Sequence, residues 1–212
     1  RSKRAADVPA FALARRLRAG ETVYAAWCMM GSPIVAETIA REGFSVVVLD
    51  AQHGLWDTAS IITGIGAVSN ADATPVVRIP LNDLALVSRA LDFGAEAIIA
   101  PMINDAADAR RFAAAAKYPP SGERSWGPLR AMALQAPRTA PADYLREANE
   151  GTLTLAIIET ATALGNVDKI AATRGYGADV ILHGTCVEDA LGEALAFAER
   201  TGAVFIHPYD HQ

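Results

Sequence analysis

Apolar residues along this chain are grouped in two kinds of segment. Short continuous apolar runs, such as those in 45–49 and 153–158, are typical of parallel strands that are buried on both faces. The segments between these runs are predicted to be helices, and several of them end at a glycine. Strands that alternate with helices in this way predict parallel βαβ units, and therefore an α/β fold.

The order of the predicted elements gives seven strands and one uncertain segment. The predicted strands cover residues 22–29, 45–49, 74–80, 95–102, 153–159, 179–183 and 203–207. The predicted helices cover residues 9–19, 33–41, 57–68, 82–93 with Asn82 as its cap, 105–118, 141–149, 161–174 and 187–200. The irregular segment 118–138 is long for a loop inside a domain, so we expect it to have a function or to contain a short strand within 119–130.

Counting that short strand gives eight, which predicts a (β/α)8 barrel of the TIM-barrel type and not an open sheet. Only the segment His207–Gln212 remains from the end of the last predicted strand onward, so the predicted barrel lacks its last helix. Either the barrel is open at that point or a partner subunit covers the exposed side. The 212 residues are expected to form a single domain over 1–212.

The bulk composition excludes several classes of protein. With 51% apolar and 20% charged residues the chain is expected to fold, and a formal charge of −5 argues against nucleic acid as a partner. No apolar run approaches the roughly 20 residues that span a bilayer, and Arg15 and Arg16 interrupt the early apolar stretch, so neither a membrane segment nor a signal peptide is expected. Two distant cysteines, Cys28 and Cys186, suit a reducing compartment, and we expect a cytoplasmic protein.

An acid and an imidazole follow the apolar run of the second predicted strand. Asp50 ends this run, and His53 comes three residues later. In α/β folds the chemistry lies at the carboxyl ends of the strands. There the carboxylate would fix the tautomer of the imidazole, whose other nitrogen would move a proton. A helix-capping aspartate beside a surface histidine is the alternative.

Two further strands also end in charged residues. Arg78 ends one strand, where a buried guanidinium needs an anion, either a substrate oxygen or a structural carboxylate. Glu159 ends another and is an oxygen ligand suited to Mg²⁺ or Mn²⁺. The other polar residues expected at the same edge are Trp27, Gln52 and His183. The pattern predicts a polar acid–base site that also offers an oxygen ligand to a metal ion.

Several short motifs, in order along the chain, carry a resemblance to a known family. They are Ala26–Trp27, Gly31–Ser32–Pro33, Ala36–Glu37, Glu42–Gly43–Phe44, Asp50–Ala51–Gln52–His53–Gly54, Val76–Val77–Arg78–Ile79–Pro80, Leu91–Asp92–Phe93–Gly94–Ala95, Tyr118–Pro119–Pro120–Ser121–Gly122, Arg124–Ser125–Trp126–Gly127–Pro128 and Ile158–Glu159–Thr160. With these motifs, about residues 9–168 resemble the class II pyruvate-type aldolases of the HpcH/HpaI family.

The resemblance implies a barrel and a lyase that cleaves or forms the carbon–carbon bond of 4-hydroxy-2-oxoacids through a pyruvate enolate. It implies that His53, oriented by Asp50, takes part in proton transfer, and that Arg78 holds pyruvate and stabilises the enolate. It also places Trp27 and Gly184 at the substrate. A divalent metal, Mg²⁺ or Mn²⁺, would bind two oxygens of the pyruvate unit, with Glu159 as one of two carboxylate ligands.

The chain departs from the family pattern after Glu159. The family's second carboxylate ligand would fall at Val187, so an aldolase built on this sequence is expected to be impaired. Glu188 or Asp189 would replace that ligand only after a backbone shift, and His183 would have to bind the metal from the strand end.

The last part of the chain suggests a different relationship. Residues 169–184 and 204–210 resemble a fragment of the fold-type II pyridoxal-phosphate threonine/serine dehydratases. The Schiff-base lysine and the phosphate loop of those enzymes lie outside this fragment, so no pyridoxal phosphate is expected. This resemblance suggests a chimera, in which an aldolase-like part, 1–168, joins a dehydratase-like αβαβ fragment, 169–212, near residues 168–169.

Three functional hypotheses follow from these observations. The first is an aldolase that takes a 2-oxoacid such as pyruvate and works as a monomer or a small homo-oligomer. The second is an engineered, recombined barrel with no selected catalytic activity. The third is a barrel that binds pyruvate or phosphate without chemistry.

Overall fold

A computed structural model describes residues 10–135, 140–171 and 173 of the chain. Five strands, all parallel, form one sheet in the order β1-β2-β3-β4-β5. They are β1 (Ala25–Cys28), β2 (Val46–Asp50), β3 (Thr74–Arg78), β4 (Ala97–Ala100) and β5 (Leu153–Ala156). Each lies inside a predicted strand or within one residue of it, so these five strand predictions are confirmed.

Helices connect the strands in the described part of the chain. They are α1 (Ala12–Arg18), α2 (Pro33–Arg41), α3 (Thr58–Asn70), α4 (Leu84–Phe93), α5 (Ala106–Ala116), α6 (Leu129–Gln135), α7 (Pro141–Gly151), α8 (Ala161–Gly165) and α9 (Val167–Ala171). Over these same residues, none of the helices combines the length and the apolar character that crossing a bilayer requires.

Both faces of the sheet are covered by apolar side chains, which explains the continuous apolar runs of the strands. On one face Val47, Leu49 and Val77 belong to the large core formed with α2, α3, α4 and α5. On the other face lies a smaller core. Its buried members are Leu13 and Ala14 of α1 and the strand residues Val46, Val48, Val76, Ala97, Ile99 and Leu153.

Short polar side chains begin several of the helices that follow the strands. Asp57 accepts from the N–H of Ser60 and forms a capping box at α3, and Asp105 accepts from two N–H groups at α5. The expected cap of α4 was wrong by one residue. Asp83, not Asn82, accepts from the N–H of Leu86, while Asn82 takes a positive φ of 60° in the preceding turn.

The short strand predicted within 119–130 is not formed. β4 pairs directly with β5, with Ala97 opposite Leu153, so no strand lies between them. Pro119 and Pro120 have no N–H to donate to a sheet, and Tyr118 packs against Trp126 with ring centroids 5.2 Å apart. The side chains of this segment therefore pack against one another, and the segment leads into α6 without adding a strand to the sheet.

The C-terminal predictions are tested only in part. Where the structure describes it, the helix predicted over 161–174 is divided into the two short helices α8 and α9, with Asn166 between them. The predicted strands 179–183 and 203–207 and the helix 187–200 lie outside the described residues, as do Cys186 and the proposed site residues His183, Gly184 and Val187.

Candidate functional site

Three side chains meet at the carboxyl ends of β1, β2 and β3. Asp50 is the last residue of β2 and lies opposite Arg78, the last residue of β3. On the neighbouring strand β1, Trp27 lies opposite Val48, which is two residues before Asp50. Because alternate residues of a strand share a face, all three side chains lie on the face that carries the smaller core. The predicted grouping of these three residues is therefore found.

The carboxylate of Asp50 is buried, with 1% of the residue exposed, and accepts four hydrogen bonds. Oδ2 accepts from Trp27 Nε1 at 2.8 Å and from Arg78 Nη1 at 3.1 Å. Oδ1 accepts from the main-chain N–H groups of Gln52 and His53 at 2.9 and 3.0 Å. Burial alone would raise the pKa of Asp50, but these four donors outweigh it and hold the pKa below its ordinary value.

The expected orientation of the His53 imidazole by Asp50 is not found. Asp50 binds the main-chain N–H of His53, and the four donors on its two oxygens do not include the imidazole ring. An aspartate readily binds the N–H groups two and three residues later, which closes the turn after the strand. The side chain of His53 is exposed at this edge of the sheet.

Arg78 links the two carboxylates of the site. Nη1 donates to Asp50, and Nη2 lies 3.8 Å from Oε1 of Glu159. The guanidinium carbon lies 5.6 Å from the centre of the Trp27 ring, within the range of a cation–π contact. The buried Nε has no hydrogen-bond partner within the described residues. The arginine is thus held on two sides, with its charge compensated by carboxylates.

Glu159 lies three residues beyond the end of β5 and is fixed by main chain from the neighbouring connection. Its Oε2 accepts from the main-chain N–H of Met102 at 2.7 Å. Met102 takes a positive φ of 55°, which is uncommon for a residue with a side chain. Among the described residues Oε1 contacts only Arg78, at 3.8 Å, which is longer than a hydrogen bond, so it retains the capacity to bind a ligand.

The donor set is compatible with one protein ligand to a divalent cation. The Glu159 carboxylate is the type of oxygen ligand that Mg²⁺ prefers, and Mg²⁺ commonly binds one or two carboxylates together with water and substrate oxygens. Asp50 cannot serve, because four donors occupy it. Within residues 10–135, 140–171 and 173, no three histidine, cysteine, aspartate or glutamate side chains form a candidate metal cluster.

Some residues around the site were missed by the sequence analysis. Met102 contributes only its main-chain N–H, which any residue except proline carries, so no residue-type signal could indicate it. Asn104 joins Met102 to Thr160 through its side chain. An asparagine after a strand is too common in turns to indicate such a role. The buried Oε1 of Gln52, a residue expected at this edge, has no partner in the described part of the chain.

Comparison with known proteins gives a consistent set of relatives. The family described as HpcH/HpaI aldolase/citrate lyase matches residues 24–185. A hydroxypyruvate/pyruvate aldolase of Pseudomonas aeruginosa is 34% identical over 80% of this chain and 62% of its own length. A 4-hydroxy-2-oxovalerate aldolase of Novosphingobium aromaticivorans is 35% identical over 88% of this chain and 75% of its own length. The chain thus spans 62% of the first relative and 75% of the second.

Solved structures agree with this result. An HpcH/HpaI aldolase/citrate lyase family protein from Burkholderia cenocepacia is 29% identical, with a TM-score of 0.70 over 91% of this chain and 82% of that one. The HpcH/HpaI aldolase of Desulfitobacterium hafniense is 26% identical, with a TM-score of 0.72 over 91% of this chain and 79% of that one. The predicted fold class is confirmed: the described sheet is that of a TIM-barrel-like HpcH/HpaI aldolase fold.

The comparisons give no support to the chimera hypothesis. The family match continues to residue 185, beyond the joint considered near 168–169. A single family therefore accounts for residues on both sides of that point.

Proposed function

Because this chain belongs to the HpcH/HpaI aldolase/citrate lyase family, we propose that it cleaves and forms the carbon–carbon bond of 4-hydroxy-2-oxoacids, with pyruvate as the common product. The observation that carries the proposal is Arg78, a guanidinium held between Asp50 and Glu159 at the carboxyl edge of the sheet. Such a fixed cation opposes negative charge that develops on a bound 2-oxoacid.

In the cleavage direction the hydroxyl on C4 loses its proton and the C3–C4 bond breaks. The C4 fragment leaves as an aldehyde, while the bonding electron pair passes to C3 and delocalises onto the C2 oxygen as the enolate of pyruvate. A proton then adds to C3 and gives pyruvate. The site must therefore remove a proton from a hydroxyl and stabilise an enolate oxygen.

Arg78 is proposed to bind the 2-oxoacid and to stabilise the enolate. Its Nη1 is engaged with Asp50, which fixes the plane of the guanidinium, and Trp27 stacks on it. A donor fixed in advance stabilises a developing charge without having to reorganise during the reaction. Asp50 and Trp27 then act as positioning residues, because the four hydrogen bonds of Asp50 fix its carboxylate against the guanidinium.

His53 is proposed to move the proton of the substrate hydroxyl. Its side chain is exposed next to Asp50, and its backbone is fixed by the bond from its N–H to Oδ1. The imidazole is the side chain whose ordinary pKa suits proton transfer near neutral pH. In this proposal the geometry of the turn places His53, and no carboxylate contact to the ring is required.

Glu159 is proposed to hold a divalent cation, Mg²⁺ or Mn²⁺, at the free side of its carboxylate. Such an ion, when bound, acts as a Lewis acid toward the oxygens of the 2-oxoacid. Val187 stands where the family resemblance places a second carboxylate. We therefore expect the chain to bind the ion weakly and to need millimolar concentrations of it, the range in which sites with few charged ligands bind.

The test is the formation of the pyruvate enolate itself, which requires no knowledge of the aldehyde partner. Pyruvate is incubated with the 212-residue chain and Mn²⁺ or Mg²⁺ in D₂O, and loss of the methyl proton signal is followed by NMR. Release of pyruvate from 4-hydroxy-2-oxopentanoate is measured in parallel. Arg78→Lys and His53→Ala are expected to abolish most of both signals.

Arg146→Lys is the matched control, because Arg146 forms an exposed pair with Asp143 within α7, the helix that precedes β5. It is expected to retain the activity of the unaltered chain. Binding of pyruvate without proton exchange or cleavage would instead favour a ligand-binding barrel and would contradict the proposed lyase function.

A further inference from the structure

Asn104 joins the loop after β4 to the segment after β5, and all of its polar groups have partners. Its Nδ2 donates to the carbonyl of Met102 at 2.9 Å, and its Oδ1 accepts from the hydroxyl of Thr160 at 2.5 Å. Its main-chain N–H donates to Asp108 Oδ2, and its carbonyl accepts from Asn166 Nδ2, both at 3.1 Å.

The two side-chain hydrogen bonds of Asn104 are made to two residues that contact or adjoin Glu159. One is Met102, whose main-chain N–H donates to Oε2 of Glu159. The other is Thr160, the residue after Glu159 in the chain, whose hydroxyl also accepts from the N–H of Ala163 at the start of α8. Asn104 thus holds the peptide whose N–H donates to Glu159, and it also holds the residue that follows Glu159 in the chain.

The conformation of Met102 makes the first of these contacts important. With a φ of 55°, Met102 lies in the left-handed region, and residues other than glycine stay in this region only when their surroundings hold them there. Its carbonyl is held by the Asn104 amide and its N–H by Glu159. Without the amide the peptide is free to leave this conformation, and the N–H then no longer points at the carboxylate.

We propose that Asn104 is a positioning residue for Glu159. It holds the main chain of Met102 and the hydroxyl of Thr160 so that one oxygen of Glu159 is fixed and the other is directed to the ligand. The inference rests on the proposed role of Glu159 as a ligand of a divalent cation. Groups that orient a metal-binding side chain typically change metal affinity 10- to 100-fold when they are removed.

The experiment measures the affinity of the 212-residue chain and its variants for Mn²⁺ alone, by titration with the EPR signal of free Mn²⁺. Asn104→Ala is expected to weaken Mn²⁺ binding on the order of 10-fold, and Glu159→Gln is expected to abolish it. Asn166→Ala is the matched control. This variant loses the hydrogen bond from the Asn166 side-chain amide to the carbonyl of Asn104, and both side-chain hydrogen bonds of Asn104 stay in place. Its affinity for Mn²⁺ is therefore expected to stay within about twofold of that of the unaltered chain.

The variants separate the two proposals. If Glu159→Gln binds Mn²⁺ as well as the unaltered chain does, the role proposed for Glu159 is wrong and Asn104 has no ligand to position. If Glu159→Gln abolishes binding but Asn104→Ala does not weaken it, only the inference on Asn104 is overturned. A purely structural role for Asn104 would lower the unfolding temperature and leave the affinity of the folded protein unchanged.

A second pair of variants keeps the test valid if Asn104→Ala does not fold. Thr160→Val removes the hydroxyl that donates to Asn104, and Thr160→Ser retains it. The valine variant is expected to weaken Mn²⁺ binding and the serine variant to restore it. Equal affinities in the two variants would overturn the proposal, because the bridge to Asn104 would then have no effect on Glu159.

Discussion

Asp50 and Arg78 lie directly opposite each other in the register of β2 and β3, and Arg78 Nη1 donates to Asp50 Oδ2 over 3.1 Å. The Asp50 side chain is 1% exposed and that of Arg78 12%, so the two groups form a buried ion pair. Each charge depends on the other, because an unpaired charge in the interior is strongly unfavourable. The pair therefore supports the fold and fixes the guanidinium that we assign to the substrate.

Asp50→Asn is expected to lower the free energy of unfolding at pH 7 by about 3 kcal/mol, since it leaves the largely buried guanidinium of Arg78 with only the more distant carboxylate of Glu159. The pKa of Asp50 is lowered in the folded protein, so the contribution of its charge is present above the ordinary value of 3.8 and is lost at lower pH. Urea denaturation at several pH values measures the loss, which should shrink as the pH falls below 4.

Asp83→Asn is the control for that substitution. The side chain of Asp83 also accepts a main-chain N–H, that of Leu86 at the start of α4, but it has no cationic partner among the described residues. Asparagine caps helices about as well as aspartate, so the change is expected to stay within about 0.5 kcal/mol. Similar losses in the two variants would mean that the ion pair with Arg78 is not what makes Asp50 important.

Arg78→Lys is expected to reduce kcat/KM for carbon–carbon cleavage on the order of 100-fold, which corresponds to about 2.7 kcal/mol of transition-state stabilisation. A planar guanidinium contacts Asp50 and Glu159 at the same time, whereas a lysine presents a single ammonium group and cannot make both contacts. Steady-state measurement of pyruvate release tests this, and a variant with unchanged kcat/KM would contradict the role assigned to Arg78.

The sequence predicted the parallel sheet and the edge at which the polar side chains meet. The apolar runs that end in Asp50 and Arg78 indicate parallel strands, because such strands are buried on both faces. A charged residue at the end of such a run therefore marks the end of the strand. The alternation of strands and helices then places those ends at one edge of the sheet. Trp27, Asp50, Arg78 and Glu159 do lie together there.

Several details could not be predicted, because they depend on main-chain atoms or on tertiary packing. Asp50 binds the N–H of His53 and not its ring, and the spacing of the two residues is the same in either arrangement. The donor to Glu159 is the main chain of Met102. The strand expected within 119–130 was wrong because Tyr118 and Arg124 pack as a local cluster, an interaction that hydrophobic periodicity does not reveal.

Glu96 is expected to make the stability of the protein depend on pH. It is buried directly before β4, and its Oε1 accepts from the N–H of Phe11. Burial raises its pKa from 4.5 to about 7. The main-chain N–H groups of Phe11 and Leu13 and the charge of Arg15 act to lower the pKa, but burial outweighs them. The folded state therefore binds more protons than the unfolded state between these values, and stability falls as the pH rises from 4.5 to 7.

The size of this effect is about 3 kcal/mol for a shift from 4.5 to about 7, and the contribution of Glu96 to the free energy of unfolding should be constant above that range. Glu96→Gln, which keeps an acceptor for Phe11 and cannot ionise, is expected to remove most of the decline. Chemical denaturation between pH 5 and pH 8 provides the measurement. Glu123→Gln, at an exposed position, should show the same decline as the unaltered chain.

Trp27→Phe separates the hydrogen bond to Asp50 from the aromatic contact with Arg78. Phenylalanine keeps a ring over the guanidinium but cannot replace the 2.8 Å bond from Nε1 to Oδ2. A hydrogen bond to a charged group contributes about 1.5–3 kcal/mol, so a loss of about 2 kcal/mol in the free energy of unfolding is expected.

The same substitution should also raise the pKa of Asp50. In the folded protein burial acts to raise that pKa, and the bond from Trp27 is the largest of the interactions that lower it. Without this bond burial is less well opposed, and carbon-detected NMR titration of the carboxyl group should show ionisation at higher pH. Trp56→Phe is the matched control, because it loses one indole bond of similar length, to the carbonyl of Cys28. It should lower stability without moving the titration of Asp50, and an equal shift in both variants would attribute the change to general loosening of the sheet edge instead of to the Trp27–Asp50 bond.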